Sequence, residues 1–156
     1  MKKLFLLLLV VSLCLAGCAG KETAASHTYE DLTIQMPTDY IDLTHEDFAS
    51  GLTFLFGKDP IAINGLREEK ATFESYGLSL QLEDYGKLLM ISNNITTTLA
   101  EKDGIPTFSY ESSGMTYVVT LYETDAAFWT VQAYCPTADY SNLQNDIWEI
   151  LSCVTV

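Results

Sequence analysis

The spacing of apolar residues changes three times along the chain, and each change predicts a different kind of element. Residues 4–15 are an almost unbroken apolar run, Leu-Phe-Leu-Leu-Leu-Leu-Val-Val-Ser-Leu-Cys-Leu. From Thr28 the pattern becomes one of alternation: Leu32, Ile34 and Met36 share one face of a strand over 28–36 that Pro37 ends. Thr44-His45-Glu46-Asp47 has the form of a capping box and predicts a short helix closing near Gly51. Leu52 to Phe56 and Ile61 to Glu68 read as strands around a turn at 57–60, the second interrupted at Asn64-Gly65. The spacing then lengthens. Leu82, Tyr85, Leu88 and Leu89 fall at helical intervals, which predicts a helix over 80–93 capped by Ser79. Gly86 inside it costs about 1 kcal/mol against alanine, so a packing contact that demands a small residue is expected there.

Alternation returns in four blocks: Ile95 to Glu101, Ile105 to Glu111, Met115 to Glu123 and Ala127 to Cys135. The turns between them are Lys102-Asp103-Gly104, Ser112-Ser113-Gly114 and Thr124-Asp125-Ala126. Asp-Gly between strands is a strong hairpin signal, and the whole predicts a four-strand antiparallel meander. Met115, Tyr117, Val119 and Leu121 share one face, and Val118 and Tyr122 lie on the other. Large apolar groups on both faces mean that both are at least partly covered. Pro136 ends the meander, and Asp139 or Ser141 caps a last helix to about Leu151, with Leu143, Ile147, Ile150 and Leu151 as its stripe. Cys153 to Val156 can add a final short strand. The predicted class is α+β: an antiparallel sheet of six to seven strands packed between helices, in one domain over 28–156.

The opening run is too short to span a membrane, which takes ~20 apolar residues for a ~30 Å hydrocarbon core. It follows Met1-Lys2-Lys3 and precedes Ala16-Gly17-Cys18, the layout of a secretory signal. Leu15-Ala16-Gly17-Cys18 resembles the lipobox of bacterial lipoproteins. The resemblance implies a signal peptide over 1–17, cleavage before Cys18 and lipidation of that cysteine. Such a chain is held on the extracytoplasmic side of the cell membrane, and two acyl chains anchor it stably. Cys18 to His27 reads as the lipidated residue and a small, polar tether.

The element order ends in an aromatic strand, Ala127-Phe128-Trp129-Thr130-Val131-Gln132, then a helix and Ser152-Cys153-Val154-Thr155-Val156. It opens on Ile34-Gln35-Met36-Pro37-Thr38-Asp39-Tyr40. In this it resembles the PsbP-like domains of photosystem oxygen-evolving proteins and their bacterial relatives. The resemblance implies a non-enzymatic binding or assembly domain and carries over no functional residue.

Charge narrows the partners. Without residues 1–17 the chain holds six Lys+Arg against 21 Asp+Glu, a net −15. Such a surface repels phosphate backbones, which excludes nucleic acid. Catalytic chemistry is thin. Beyond the signal there are two histidines, His27 and His45, and no Gly-x-Ser-x-Gly, so no nucleophile–base pair is legible. No His/Cys cluster or calcium loop points to a metal, and no phosphate-binding motif points to a cofactor. Glu68-Glu69, Glu83-Asp84 and Asp146 with Glu149 are paired carboxylates of the kind a solvated face also carries. Cys135 and Cys153 lie too far apart along a helix of about 16 Å to meet a disulfide's ~7 Å limit, and are expected as two free thiols.

Aromatics carry the strongest functional signal. Most are expected in the core. Tyr40, Tyr110, Tyr122, Tyr134 and Tyr140 are the candidates for an exposed binding face. The expected function is therefore an interaction module for a protein or envelope component, with a small-molecule binding lipoprotein and a carboxylate-dependent envelope hydrolase as alternatives.

Overall fold

The computed structural model describes residues 23–156, with Phe48 described by its backbone alone. Two antiparallel sheets and three α-helices make up the fold. The chain opens on a hairpin, β1 (Ala24–Tyr29) and β2 (Leu32–Pro37), turned at Glu30-Asp31 with Glu30 at φ 53°. Then follow β3 (Ile41–Asp42), a 3-10 turn (Asp47–Ala49), β4 (Phe54–Lys58) and β5 (Ile61–Glu69). Helices α1 (Lys70–Ser75) and α2 (Leu82–Ser92) precede the meander of β6 (Ala100–Lys102), β7 (Ile105–Ser112), β8 (Met115–Glu123) and β9 (Ala127–Pro136). Helix α3 (Thr137–Leu151) and β10 (Val154–Thr155) end the chain.

The large sheet has seven strands in the order β3-β4-β5-β9-β8-β7-β6. The meander forms as predicted, its tight turns made by Asp103-Gly104 and Ser113-Gly114, all four residues at positive φ, as two-residue hairpins require. Strand β5 joins it by pairing with β9 along its length, from Ala62↔Tyr134 to Glu69↔Ala127. It runs through Gly65 without interruption. The ring of Phe54, on the neighbouring strand, lies where a Cβ would stand, so glycine is what lets that ring pack flat on the sheet.

Each face of the large sheet has its own core. One face buries Phe54, Phe56, Ile63, Trp129 and Val131 beneath α3, through Ile147 and Leu151, and beneath the second sheet, through Leu32, Ile34 and Met36. That second sheet, β1-β2-β10, shares a layer with α3, and β10 pairs with β2. The other face buries Phe108, Val119, Leu121 and Phe128 beneath Tyr85 and Met90 of α2, with Phe73 of α1 beside them. The contact expected at Gly86 exists: a Cβ there would stand 2.6 Å from Leu121 Cδ1 and 3.2 Å from Leu99 Cδ2.

Several local expectations are corrected. Residues 24–27, assigned to the tether, are strand β1: hydrogen bonding to β2 gives their backbone partners, and the His27 ring sits edge-on to Phe56 at 4.7 Å. Thr44 caps no helix. Its hydroxyl accepts the Leu55 N–H at 3.0 Å, tying the loop to β4. Ser79 does not cap α2, which starts at Leu82 with acidic Glu83 and Asp84 in its first turn. Neither Asp139 nor Ser141 caps α3, which begins directly after β9 at Thr137. Strand β6 covers only 100–102, because Leu99 turns in to pack against the α2 core. Cys135 is free and buried, as expected. Cys153 is disulfide-bonded, not the free thiol that was expected.

Candidate functional site

Helix α2 cannot cover its whole face of the sheet. Eleven residues of helix span about 16 Å, against about 30 Å for the nine residues of β8. Where the helix stops, three strands each present a tyrosine. Antiparallel register sets Tyr110 of β7 opposite Tyr117 of β8, and Tyr117 opposite Tyr134 of β9. Tyr110 and Tyr117 stack at 4.7 Å and 6° between planes, and Tyr117 and Tyr134 lie 5.3 Å apart at 31°. All three are half-buried. The Tyr110 hydroxyl donates to Gln132 Oε1 at 3.2 Å. Burial, then the neighbouring Tyr117, pushes the Tyr110 and Tyr134 hydroxyls above the ordinary tyrosine range. They therefore stay protonated donors at neutral pH. Beyond Tyr134 the register places half-buried Ala62 and then Gly57, so the row of rings ends beside small residues. Stacked rings lose little conformational freedom on binding and combine apolar area with polar tips, the chemistry of interface hot spots.

Several solved structures resemble this arrangement of elements, among them the following two. The solution structure of cyanobacterial PsbP (CyanoP) from Synechocystis sp. PCC 6803 matches with a TM-score of 0.59 at 12% identity, over 92% of this chain and 99% of that one. The fold is PsbP-like. A crystal structure from Bacteroides thetaiotaomicron VPI-5482 matches with a TM-score of 0.50 at 11% identity, over 88% of this chain and 49% of that one. No family model and no curated protein matches the sequence.

Within this PsbP-like domain the five candidate tyrosines fall in four places. Tyr110 and Tyr134 come together, around Tyr117, which was not among them. Tyr122 is no part of a binding face. It is buried under α3, donates to the Leu151 carbonyl at 2.6 Å and is pushed up to about 12 by burial. Tyr140 lies half-buried on α3. Tyr40 follows β2 and lines a cavity of about 330 Å³ with Ala24, Lys58, Ile61, Asp146 and Glu149. Cys18 lies outside the described residues.

Glu68, Glu69 and Glu83 turn to separate partners, whereas Asp146 and Glu149 both line the cavity beside Tyr40. Glu68 accepts the Tyr85 hydroxyl at 2.6 Å on the α2 face, while Glu69 pairs with Arg67. Glu83 pairs with Lys87 one turn on, at 2.7 Å. Among the described residues no three His, Cys, Asp or Glu side chains are grouped to hold a metal.

A carboxylate that sequence reasoning passed over, Asp31, holds the two sheets together. Its oxygens accept Trp129 Nε1 at 2.8 Å, Thr124 Oγ1 at 2.6 Å and Arg67 Nε at 3.1 Å. Burial alone would raise the carboxyl. The hydrogen bonds from Arg67, Thr124 and Trp129, with the Arg67 charge, outweigh it and hold Asp31 well below the usual carboxylate range. Fully buried Trp129 needs a partner for its N–H, and the β1–β2 turn supplies it.

Proposed function

We propose that this chain is a lipid-anchored, extracytoplasmic interaction module, non-enzymatic, that docks a membrane-proximal protein or envelope component on the Tyr110–Tyr117–Tyr134 face. The stack carries the reading: three rings in one row, on the half of the sheet that α2 leaves open, with donors that remain protonated. The lipobox-like Leu15-Ala16-Gly17-Cys18 supports the anchor. Six residues of rise separate Cys18 from Ala24, so an anchor on Cys18 holds the start of β1 within about 20 Å of the lipid. Ala24 and Ile61 line one cavity, and Ala62, next to Ile61, pairs with Tyr134. The tyrosine row therefore belongs to the end of the sheet where the tether enters, and its partner is sought near the membrane.

The reading is tested by isolating native envelope complexes of the full chain, wild type and with Tyr117→Ser and Tyr134→Ser together. The partner recovered with wild type is expected to be lost from the double variant, whose thermal unfolding still shows a folded domain. Undiminished recovery overturns the docking face. Cys18→Ala is expected to abolish lipid labelling and release the chain from the membrane. Labelling that persists on the variant overturns the anchor.

A further inference from the structure

At β7 the edge of the large sheet is only half closed. Strand β6 pairs with Ile105, Pro106 and Thr107 of β7 and goes no further. From Phe108 to Ser112, β7 has a strand neighbour on the β8 side alone. The two hairpin turns decide which backbone groups are left over. Asp103-Gly104 and Ser113-Gly114 are two-residue turns, so the pairs that close them, Lys102↔Ile105 and Ser112↔Met115, exchange both their hydrogen bonds. Counted by twos from either turn, Phe108, Tyr110 and Ser112 direct N–H and C=O to β8, and Ser109 and Glu111 direct theirs outward. Among the described residues nothing bonds these four outward groups. Ser109 and Glu111 are exposed, and Glu111 makes no ion pair there. Such an edge is a template for a further strand, and proline, lysine or a bulge is what usually closes it. Residues 108–112 hold none of the three.

The side chains along this edge select what can join it. Neighbouring strands lie about 4.8 Å apart, the spacing at which Tyr110 already stacks on Tyr117, 4.7 Å. A strand added to β7 therefore sets one side chain beside Tyr110, in line with the tyrosine row. Its two neighbours fall opposite Ser109 and Glu111, on the other face. Aromatic pairs and opposite charges stabilise such cross-strand positions, and like charges oppose them. A carboxylate opposite Glu111 is repelled, and a second copy of this chain would bring another 21 acids. We infer that β7 takes up an extended, basic segment of a partner protein as an added strand in line with β6, antiparallel like every other pair in the sheet. Lys or Arg lies opposite Glu111, an aromatic residue opposite Tyr110 and a small polar residue opposite Ser109. This rests on the tyrosine row as the docking face and adds how the partner is held there: its main chain on the edge, one side chain on the row.

The test uses the full chain in detergent and the probe peptide acetyl-Thr-Lys-Tyr-Ser-Thr-amide, whose Lys, Tyr and Ser fall opposite Glu111, Tyr110 and Ser109. Amide exchange of Ser109 and Glu111, read by NMR, is expected to slow as peptide is added to millimolar concentration. The same peptide with Glu for Lys is expected to bind about fivefold more weakly. The peptide N-methylated at its Lys and Ser, whose N–H groups donate to the edge, is expected not to bind. Ser109→Pro removes an outward donor and no bond to β8, and is expected to abolish binding with thermal unfolding unchanged. Glu111→Lys, at an exposed position, is expected to reverse the preference between the Lys and Glu peptides. Unchanged exchange at Ser109 and Glu111, binding that survives N-methylation, or a preference that Glu111→Lys leaves unreversed overturns the edge. So does protection that grows with the chain's own concentration in the absence of peptide, which assigns the edge to a second copy. The two readings fail separately. A native complex lost with Tyr117→Ser and Tyr134→Ser but kept with Ser109→Pro overturns the edge alone. One kept by the double tyrosine variant, with the peptide still protecting Ser109 and Glu111, overturns the tyrosine row alone.

Discussion

At residue scale, the molecule rests on a few polar groups whose partners come from distant segments. Asp31 and Trp129 are 98 positions apart, and their hydrogen bond fastens the small sheet to the large one. Asp31→Asn keeps the shape but removes the charge that faces Arg67, and is expected to cost about 2–3 kcal/mol at pH 7, measured by urea unfolding. The pH dependence has a definite sign. The folded carboxyl lies below its unfolded value of about 3.9, so its stabilisation is complete above that pH and is lost as pH falls below it. The wild type is therefore expected to lose its advantage over Asp31→Asn on acidification, and a constant difference down to low pH would contradict this. Cys135 makes a second residue-scale prediction. Burial, then the Asp139 charge, pushes its thiol up, so it is protonated and inaccessible. Peptide mapping after alkylation is expected to find Cys135 modified only when the chain is unfolded first.

At the scale of elements, Gly86 sets how closely α2 approaches the sheet. Gly86→Ala gains about 1 kcal/mol of helix propensity, but its Cβ meets Leu121, which is buried, and overpacking costs about 1–3 kcal/mol. The net expectation is a lower urea midpoint, partly restored when Leu121→Val is added. An unchanged or raised midpoint would show that α2 shifts freely. This contact was legible in the sequence, because a glycine in a helical stripe contradicts local propensity unless packing requires it. The meander was legible for a related reason: Asp103-Gly104 and Ser113-Gly114 fix turn type, and alternation fixes the faces. What failed was local capping. Thr44, Ser79, Asp139 and Ser141 have suitable side chains, but tertiary contacts decide where a helix starts, as when β9 runs straight into α3. Strand β1 was missed because Ala24 to Thr28 carries no apolar alternation, and only its pairing with β2 makes it a strand. The tyrosine row was half legible. Tyr110 and Tyr134 stood out as aromatics, whereas Tyr117 follows only when the two hairpin registers are carried across three strands.

At the scale of the whole molecule, the large sheet separates two surfaces. One is covered in large part by α3 and the small sheet. The other is covered by α1 and α2 at one end and open at the tyrosines. Among the described residues no helix is long and apolar enough to cross a membrane. In the proposed arrangement the lipid on Cys18 makes the attachment. The tyrosine row and that attachment then face the same neighbourhood, which makes docking dependent on place as well as on side chains. Site-specific photo-crosslinking in intact cells tests this most directly. A photoreactive phenylalanine analogue replaces Tyr117 in one full-length chain and Tyr76, which is 79% exposed, in another. The account predicts a discrete adduct from position 117, absent from position 76 and lost when Cys18→Ala is added. Adducts of equal yield from both positions, or none from position 117 in cells that carry the anchored chain, would contradict it.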